Sequence, residues 1–170
     1  MRTLRDINEL RAMLREYRRQ GQRIALVPTM GNLHDGHLDL IRRARELAGT
    51  SGSPVVASIF VNRLQFGPNE DFGRYPRSLE ADLQLAAAAG ASALFAPSAA
   101  ELYPQGEGEL TRIEPPRGLQ QGLCGAHRPG HFNGVATVVV RLLALIRPDR
   151  LLLGEKDWQQ LVILRRVVAD

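Results

Sequence analysis

The 170-residue chain holds four histidines, and they fall in two short segments, His34-Asp35-Gly36-His37 and His127-Arg128-Pro129-Gly130-His131. The first pair follows an apolar run, Ile24 to Val27, that reads as a buried parallel strand. The run breaks at Pro28, passes through Gly31 and resumes as a helix beginning near Asp35 to His37, with Leu38, Ile41 and Arg45 at helical spacing. Backbone N–H groups at such a helix start are unpaired, and the helix dipole there favours an anion. Gly36 removes the side chain that would hold a phosphate or an adenine away from the backbone. A strand, a glycine turn, a helix N-terminus and two imidazole donors together make a site for polyphosphate. A histidine in this position can also act as a helix cap or a solvated residue. A His-x-x-His pair can bind zinc, but only Asp35 is near enough in sequence to be a third ligand, and the glycines suit phosphate better.

The second chemical signal is Lys156, in Gly154-Glu155-Lys156-Asp157-Trp158-Gln159-Gln160. It is the chain's one lysine; every other basic residue is arginine. Lysine supplies a compact mobile charge where arginine supplies a rigid fork.

The elements around these residues alternate between strand and helix. Thr3 is placed to cap a first helix whose Leu4, Ile7, Leu10, Leu14 and Tyr17 share a face, closed by Gly21. A strand over 23–27, a helix over 36–48 and a Thr-Ser-Gly-Ser-Pro turn follow, then a second strand from Pro54 to Phe60. The segment 62–76, rich in Asn, Gly and Pro, reads as a functional loop at a strand's carboxyl end, where open α/β sheets place their ligands. Ser78 opens an Ala-rich helix to Ala89, and Ala93 to Ala96 makes a short strand. Residues 98–130 read as irregular, with strand potential at Leu110 to Glu114. A helix from near His131 to Ile146, a strand at Leu151 to Leu153 and a helix from Trp158 to Val168 complete the pattern. The alternation indicates an α/β fold with a Rossmann-like, doubly wound parallel sheet. Ile24–Val27 and Val55–Phe60 are expected as adjacent central strands, with His34, Gln65, Lys156 and Gln160 converging on one cleft.

Composition narrows the function. At 44% hydrophobic residues the chain has enough apolar content for one globular domain. No apolar stretch reaches membrane-spanning length, and the N-terminus lacks a signal-peptide core. One cysteine, Cys124, excludes an internal disulfide and fits a reducing cytoplasm. The net charge of +4 comes from arginines scattered over helical faces among acidic neighbours. No basic stretch is interleaved with aromatics, so nucleic acid is not the expected partner, nor is a membrane.

His-x-Gly-His after a strand is also a mark of the nucleotidyltransferase superfamily, which includes class I aminoacyl-tRNA synthetases. More specifically, five segments resemble the pantothenate synthetase (pantoate–β-alanine ligase) family in order and spacing: 28–37, 58–72, 74–80, 128–135 and 154–161. The resemblance implies a two-step reaction. Pantoate carboxylate attacks the α-phosphate of ATP, and β-alanine then displaces AMP from the pantoyl-adenylate. It implies catalytic roles for His37, His34 and Lys156, with His37 the family's proposed proton donor. It implies ATP contacts from Met30, Gly31, Asn32, Leu33, His34, Asp35, Gly36 and His37, and from Gly154, Glu155, Lys156 and Asp157. Gln65 and Gln160 would bind pantoate, Gln65 would also meet β-alanine, and Asn62, Arg128 and His131 would lie near the site. Mg2+ would accompany ATP, no protein-held metal is implied, and the expected assembly is a homodimer in the cytoplasm.

The sequence departs from the family at Arg63, where proline is usual and where the change is expected to loosen the presentation of Gln65, and at Cys124, where glutamate is common. Family members continue into a Ser-Ser-Arg-Asn segment and a smaller C-terminal domain that closes over ATP, and neither occurs in these 170 residues. The expectation is therefore an N-terminal nucleotide- and pantoate-binding domain, 1–170, with low turnover by itself. Whether its parent is a single-function ligase or a fusion with cytidylate kinase stays open. Two other readings stand beside this one. The first is a non-catalytic, dimerising fragment that holds ligand without turnover. The second is another small adenylyltransferase of the superfamily, although such enzymes lack the 65–72 and 128–132 segments.

Overall fold

A computed structural model describes residues 1–49, 52–68, 70 and 72–170. Five parallel strands form one sheet in the order β1-β4-β3-β2-β5: β1 (Arg2–Leu4), β2 (Ala25–Thr29), β3 (Val55–Ile59), β4 (Ala93–Phe95) and β5 (Arg150–Leu151). The helices are α1 (Ile7–Arg19), α2 (Asp35–Ala48), α3 (Leu79–Ala88), α4 (Ala99–Leu102), α5 (Arg117–Gln120), α6 (Leu123–His127), α7 (His131–Ile146) and α8 (Trp158–Ala169). The expected neighbours β2 and β3 pair along their whole length, Ala25 with Val55 through Thr29 with Ile59.

Side-chain alternation along the strands feeds two cores. Leu26, Val56 and Phe95 face one side of the sheet with Leu10 and Leu14 of α1, Val139 and Leu142 of α7, and Ile163 and Leu164 of α8. Ala25, Val27, Val55, Ala57 and Leu94 face the other, under Leu38 and Ile41 of α2 and Ala86 of α3. The small residues Ala44, Ala57 and Ala86 are fully buried and let this second layer lie close to the sheet. The chain leaves β2 for α2 on one face and leaves β5 for α8 on the other. The carboxyl ends of β2 and β5 therefore flank the point where winding reverses, and a crevice opens there.

Several sequence expectations are corrected. Thr3 is not a cap: Arg2–Leu4 pairs with Ala93–Phe95 as an edge strand, and Asp6 caps α1 instead, accepting from the Asn8 and Glu9 amides at 2.8 and 2.9 Å. An apolar Leu4 suits either element, and the free edge of β4 decides between them. No strand forms at Leu110 to Glu114 because no strand lies beside it. The Ile113 N–H is taken by the Thr137 hydroxyl of α7 at 2.9 Å. The last strand is Arg150–Leu151, one residue earlier than expected, and three short helices occupy part of 98–130. Of the Thr-Ser-Gly-Ser-Pro turn, Thr50 and Ser51 lie outside the described residues, as do Asn69 and Asp71 of the 62–76 loop.

Candidate active site

The β2–α2 connection is built on two left-handed residues, Gly31 at φ +87° and Asn32 at φ +52°. Their turn aims consecutive amides inward, and a side chain from another element meets them. Asp82 of α3, 2% exposed, accepts from Asn32 N–H at 2.9 Å and Leu33 N–H at 2.8 Å. A Cβ at Gly31 would sit 3.1 Å from Asp82 Oδ2, so glycine meets both the backbone angle and the close approach. Asp82 was not singled out from the sequence. The available signal was a carboxylate four residues before the buried Ala86, on the core side of α3. Asp82→Ala removes the acceptor for two inward amides and is expected to lower stability by about 1 to 2 kcal/mol. Chemical denaturation checks this.

At the start of α2 the imidazoles act as caps. His34 stands at the N-cap and its Nδ1 accepts from Gly36 N–H at 3.2 Å; His37 Nδ1 accepts from His34 N–H at 3.4 Å. Several amides expected to be free are therefore engaged by His34, His37 and Asp82. With both Nδ1 atoms accepting, this hydrogen-bond pattern assigns the ring protons to Nε2, which keeps a donor on each imidazole. The two rings lie 4.1 Å apart. His37 is held below the ordinary imidazole value of 6.5, first by burial and then by His34 and Lys156, while Asp82 and Asp157 act against the shift. At neutral pH it is a neutral hydrogen-bond donor.

A cleft of about 470 Å3 joins this turn to β5 and α8. His34, Gly36 and His37 line one wall with Met30, Gly31 and Asn32. Gly154, Lys156, Asp157 and Gln160 line the opposite wall, and Gln65 closes a third side. The expected convergence of His34, Gln65, Lys156 and Gln160 is thus present. Leu33, Asp35 and Glu155 are not on the wall; Leu33 is in the core beneath the loop, 8% exposed. Asp157 occupies the N-cap position of α8 without a side-chain cap bond. The cleft floor is apolar, formed by Pro28, Phe60, Val135, Val138 and Val139. Tyr75, missed in the sequence, also borders it.

Gln65 is 8% exposed and is held at both ends. Asn62, fully buried, donates to Gln65 Oε1 at 3.2 Å and to the Gly134 carbonyl at 3.0 Å, and Gln65 Nε2 then lies 3.0 Å from Met30 Sδ. The Gln65 carbonyl accepts from His131 Nδ1 at 2.8 Å and Arg128 Nη2 at 3.3 Å. Arg128 grips Glu70 with two of its guanidinium nitrogens, Nε at 2.5 Å and Nη2 at 2.6 Å. Gln65 is fastened from behind, and the Arg63 guanidinium sits 5.2 Å over the Phe72 ring. Glu70 belonged to a recognised segment, but its partner lies 58 residues away. Cys124 is exposed, 3.8 Å from Arg128 Nη1. Arg128, His131 and Cys124 border an adjoining hollow of about 490 Å3 that shares Gln65, Lys156 and Gln160 with the main cleft.

This fastening depends on pH. His131 sits below its ordinary 6.5, chiefly through burial and also through Arg128, while its bond to the Gln65 carbonyl, Glu70 and Asp157 oppose the shift. The unfolded chain binds the proton more readily, so the stabilisation is complete above about pH 6.5 and is lost as pH falls through the lower folded value. The Arg128 hydrogen bond pulls Glu70 from 4.5 to about 2, so its contribution is complete above about pH 4.5 and disappears toward pH 2. Thermal unfolding on acidification should therefore lose stability in two windows. His131→Gln should make the upper one shallower without abolishing it, because His37 is depressed in the same range, and Glu70→Gln should flatten the lower.

Comparison with known proteins agrees with this geometry. The family described as pantoate-beta-alanine ligase matches residues 2–170. The pantothenate synthetase of Marinobacter nauticus is 51% identical over 170 residues, covering all of this chain and 58% of that protein. The bifunctional pantoate ligase/cytidylate kinase of Parasynechococcus marenigrum is 61% identical over 150 residues, 88% of this chain and 29% of that protein. The crystal structure of pantothenate synthetase from Thermus thermophilus superposes with a TM-score of 0.89 at 51% identity, covering this whole chain and 58% of that one. That of pantoate-beta-alanine ligase from Francisella tularensis, complexed with beta-gamma ATP and beta-alanine, gives 0.90 at 41% identity, with 62% of that chain covered. The chain thus spans less than two thirds of the length of these relatives. With a matching fold, a match over residues 2–170 and half its residues shared with such relatives, the chain belongs to the pantoate–β-alanine ligase family.

Proposed function

We propose that this chain carries the nucleotide- and pantoate-binding site of an ATP-dependent ligase that joins pantoate to β-alanine through a pantoyl-adenylate. The observation that supports it most is the single cleft where two imidazole donors, one ammonium and two amide side chains meet at the sheet's switch point. ATP, as its Mg2+ complex, lies along the Met30–His37 turn. Mg2+ would enter with the nucleotide, held by its phosphates. His34 and His37 donate from Nε2 to phosphate oxygens that gain charge as pyrophosphate departs, and Lys156 supplies a mobile charge from the facing wall. The proton-donor role that the family resemblance gives His37 would need the ring protonated at Nδ1 with release of the His34 amide; a bound polyanion favours that charge, and the neutral ring donates a hydrogen bond from Nε2 without it. Gly36 admits the phosphate chain, and Gly154 and Asp157 border the same space.

Pantoate is a hydroxy acid with an apolar middle. Gln65 and Gln160 offer amide donors to its oxygens without setting a negative charge beside its carboxylate. The floor of Pro28, Phe60, Val135, Val138 and Val139 receives its methyl groups. The cleft holds the carboxylate against the α-phosphate, which converts a bimolecular attack into a positioned one. β-Alanine then approaches past Gln65 from the side of Arg128 and His131. The reading extends to a cytoplasmic homodimer that supplies pantothenate for coenzyme A. One cysteine in the chain agrees with the first part, and sedimentation tests the second.

Pantoate-dependent release of pyrophosphate from ATP, followed by AMP and pantothenate once β-alanine is added, is the expected result. Binding of both ligands with no pyrophosphate released would favour the non-catalytic reading.

A further inference from the structure

We propose that Tyr103 is a positioning residue for the pantoate subsite: its buried hydroxyl fixes the amide of Asn62, which in turn aims the Gln65 NH2 group into the cleft. The proposal rests on the reading above that Gln65 binds the hydroxy acid.

Donor and acceptor capacity fixes which way each amide points. The Gly134 carbonyl can only accept, so the side-chain group of Asn62 3.0 Å from it must be the NH2. The second hydrogen of that NH2 goes to Gln65 Oε1 at 3.2 Å. Asn62 Oδ1 is thereby turned the other way, into a fully buried position, and Tyr103 Oη donates to it at 3.2 Å. With its oxygen taken by Asn62, Gln65 has only its NH2 left to show the cleft, where Met30 Sδ stands as a weak acceptor at 3.0 Å. The polarity that a substrate meets at Gln65 is therefore set two residues away, by a carbonyl at one end and a phenol at the other.

Tyr103 is well held for this task. It is 4% exposed, its N–H closes α4 on the Ala99 carbonyl at 2.7 Å, and its ring packs edge-on against Phe60 at 5.8 Å. Burial raises its phenol above the ordinary range, Glu107 adds to the shift and Arg141 opposes it, so the donor proton is retained at any working pH. Without the hydroxyl, Asn62 Oδ1 is a buried acceptor with no donor, and side-chain orientations that release Gln65 Oε1 become competitive. Gln65 can then turn its oxygen toward the cleft, where it opposes a substrate carboxylate.

Tyr103→Phe keeps the ring packing and removes only the hydroxyl. Titration calorimetry on this chain should show pantoate affinity reduced roughly tenfold, the equivalent of one net hydrogen bond, and ATP affinity unchanged within about twofold. In an Asn62→Ala background the same change should have no further effect on pantoate. Asn62→Asp leaves Tyr103 in place but sets an oxygen against Gln65 Oε1, and should weaken pantoate at least as much. The proposal is overturned if Tyr103→Phe spares pantoate binding, if it weakens ATP and pantoate alike, if its effect multiplies with that of Asn62→Ala, or if Asn62→Asp binds pantoate normally. Gln65→Ala separates the two levels. If it binds pantoate normally, the subsite reading fails; if it weakens pantoate while Tyr103→Phe does not, only the role of Tyr103 fails.

Discussion

In the full-length ligase, His37→Ala is expected to slow pantoyl-adenylate formation by ~10²- to 10³-fold, the cost of about 3 to 4 kcal/mol for losing one preorganised donor to developing charge. The loss should appear in single-turnover pyrophosphate release with both substrates saturating, with pantoate affinity nearly unchanged. The reason lies in the capping arrangement: His37 Nδ1 is engaged by the His34 amide, so the ring is already oriented with Nε2 available before nucleotide arrives. Lys156→Ala should give a loss of similar size. Lys156→Arg should restore little, because a planar fork on a half-open wall cannot follow a moving phosphate as a compact ammonium does. Near-normal single-turnover adenylation by either alanine variant would remove that residue from the mechanism.

Gly134→Ala should be among the most damaging single-methyl changes in the domain. A Cβ there would lie 2.3 Å from the Leu64 carbonyl oxygen and 2.6 Å from the Gln65 amide nitrogen, both backbone atoms of the 3-10 turn Arg63–Gln65. Neither can move aside as a side chain would, so α7 or the turn must shift. A stability loss of about 3 kcal/mol, the upper part of the usual overpacking range, is expected from chemical denaturation. The same shift breaks the Asn62 bond to the Gly134 carbonyl and displaces Gln65, so pantoate affinity should fall while the His34–His37 turn, on the far side of the cleft, still binds ATP. A variant with native stability and native pantoate affinity would show that the close approach is not required. At Gly21 a Cβ would meet nothing within 4 Å, so crowding there is absent.

The sequence alone carried the elements whose signals are local. Ile24–Val27 and Val55–Phe60 read as strands because apolar residues dominate between turn residues, all four in the first and five of six in the second. The helix after His34 read correctly because Leu38 and Ile41 repeat at helical spacing behind a glycine turn. The cleft membership of His34, His37, Gln65, Lys156 and Gln160 followed from the same source together with the family resemblance, since the carboxyl ends of parallel strands share one edge. The family itself was readable from five segments. Pairing partners were not. Leu4 could join a helix or a strand, and only the unpaired edge of β4 settled it; Leu110–Glu114 had strand-forming residues but no neighbour to pair with. The supports of the site were equally invisible: Asp82 beneath Asn32 and Leu33, Glu70 against Arg128, Tyr103 behind Asn62, and the contact of Gly134 with Leu64 span 41 to 70 residues. Each depends on distances that exist only once helices and sheet have packed. A hydrogen bond between side chains so far apart leaves no periodicity in the chain, so packing decided how the site residues are held, and local pattern decided which they are.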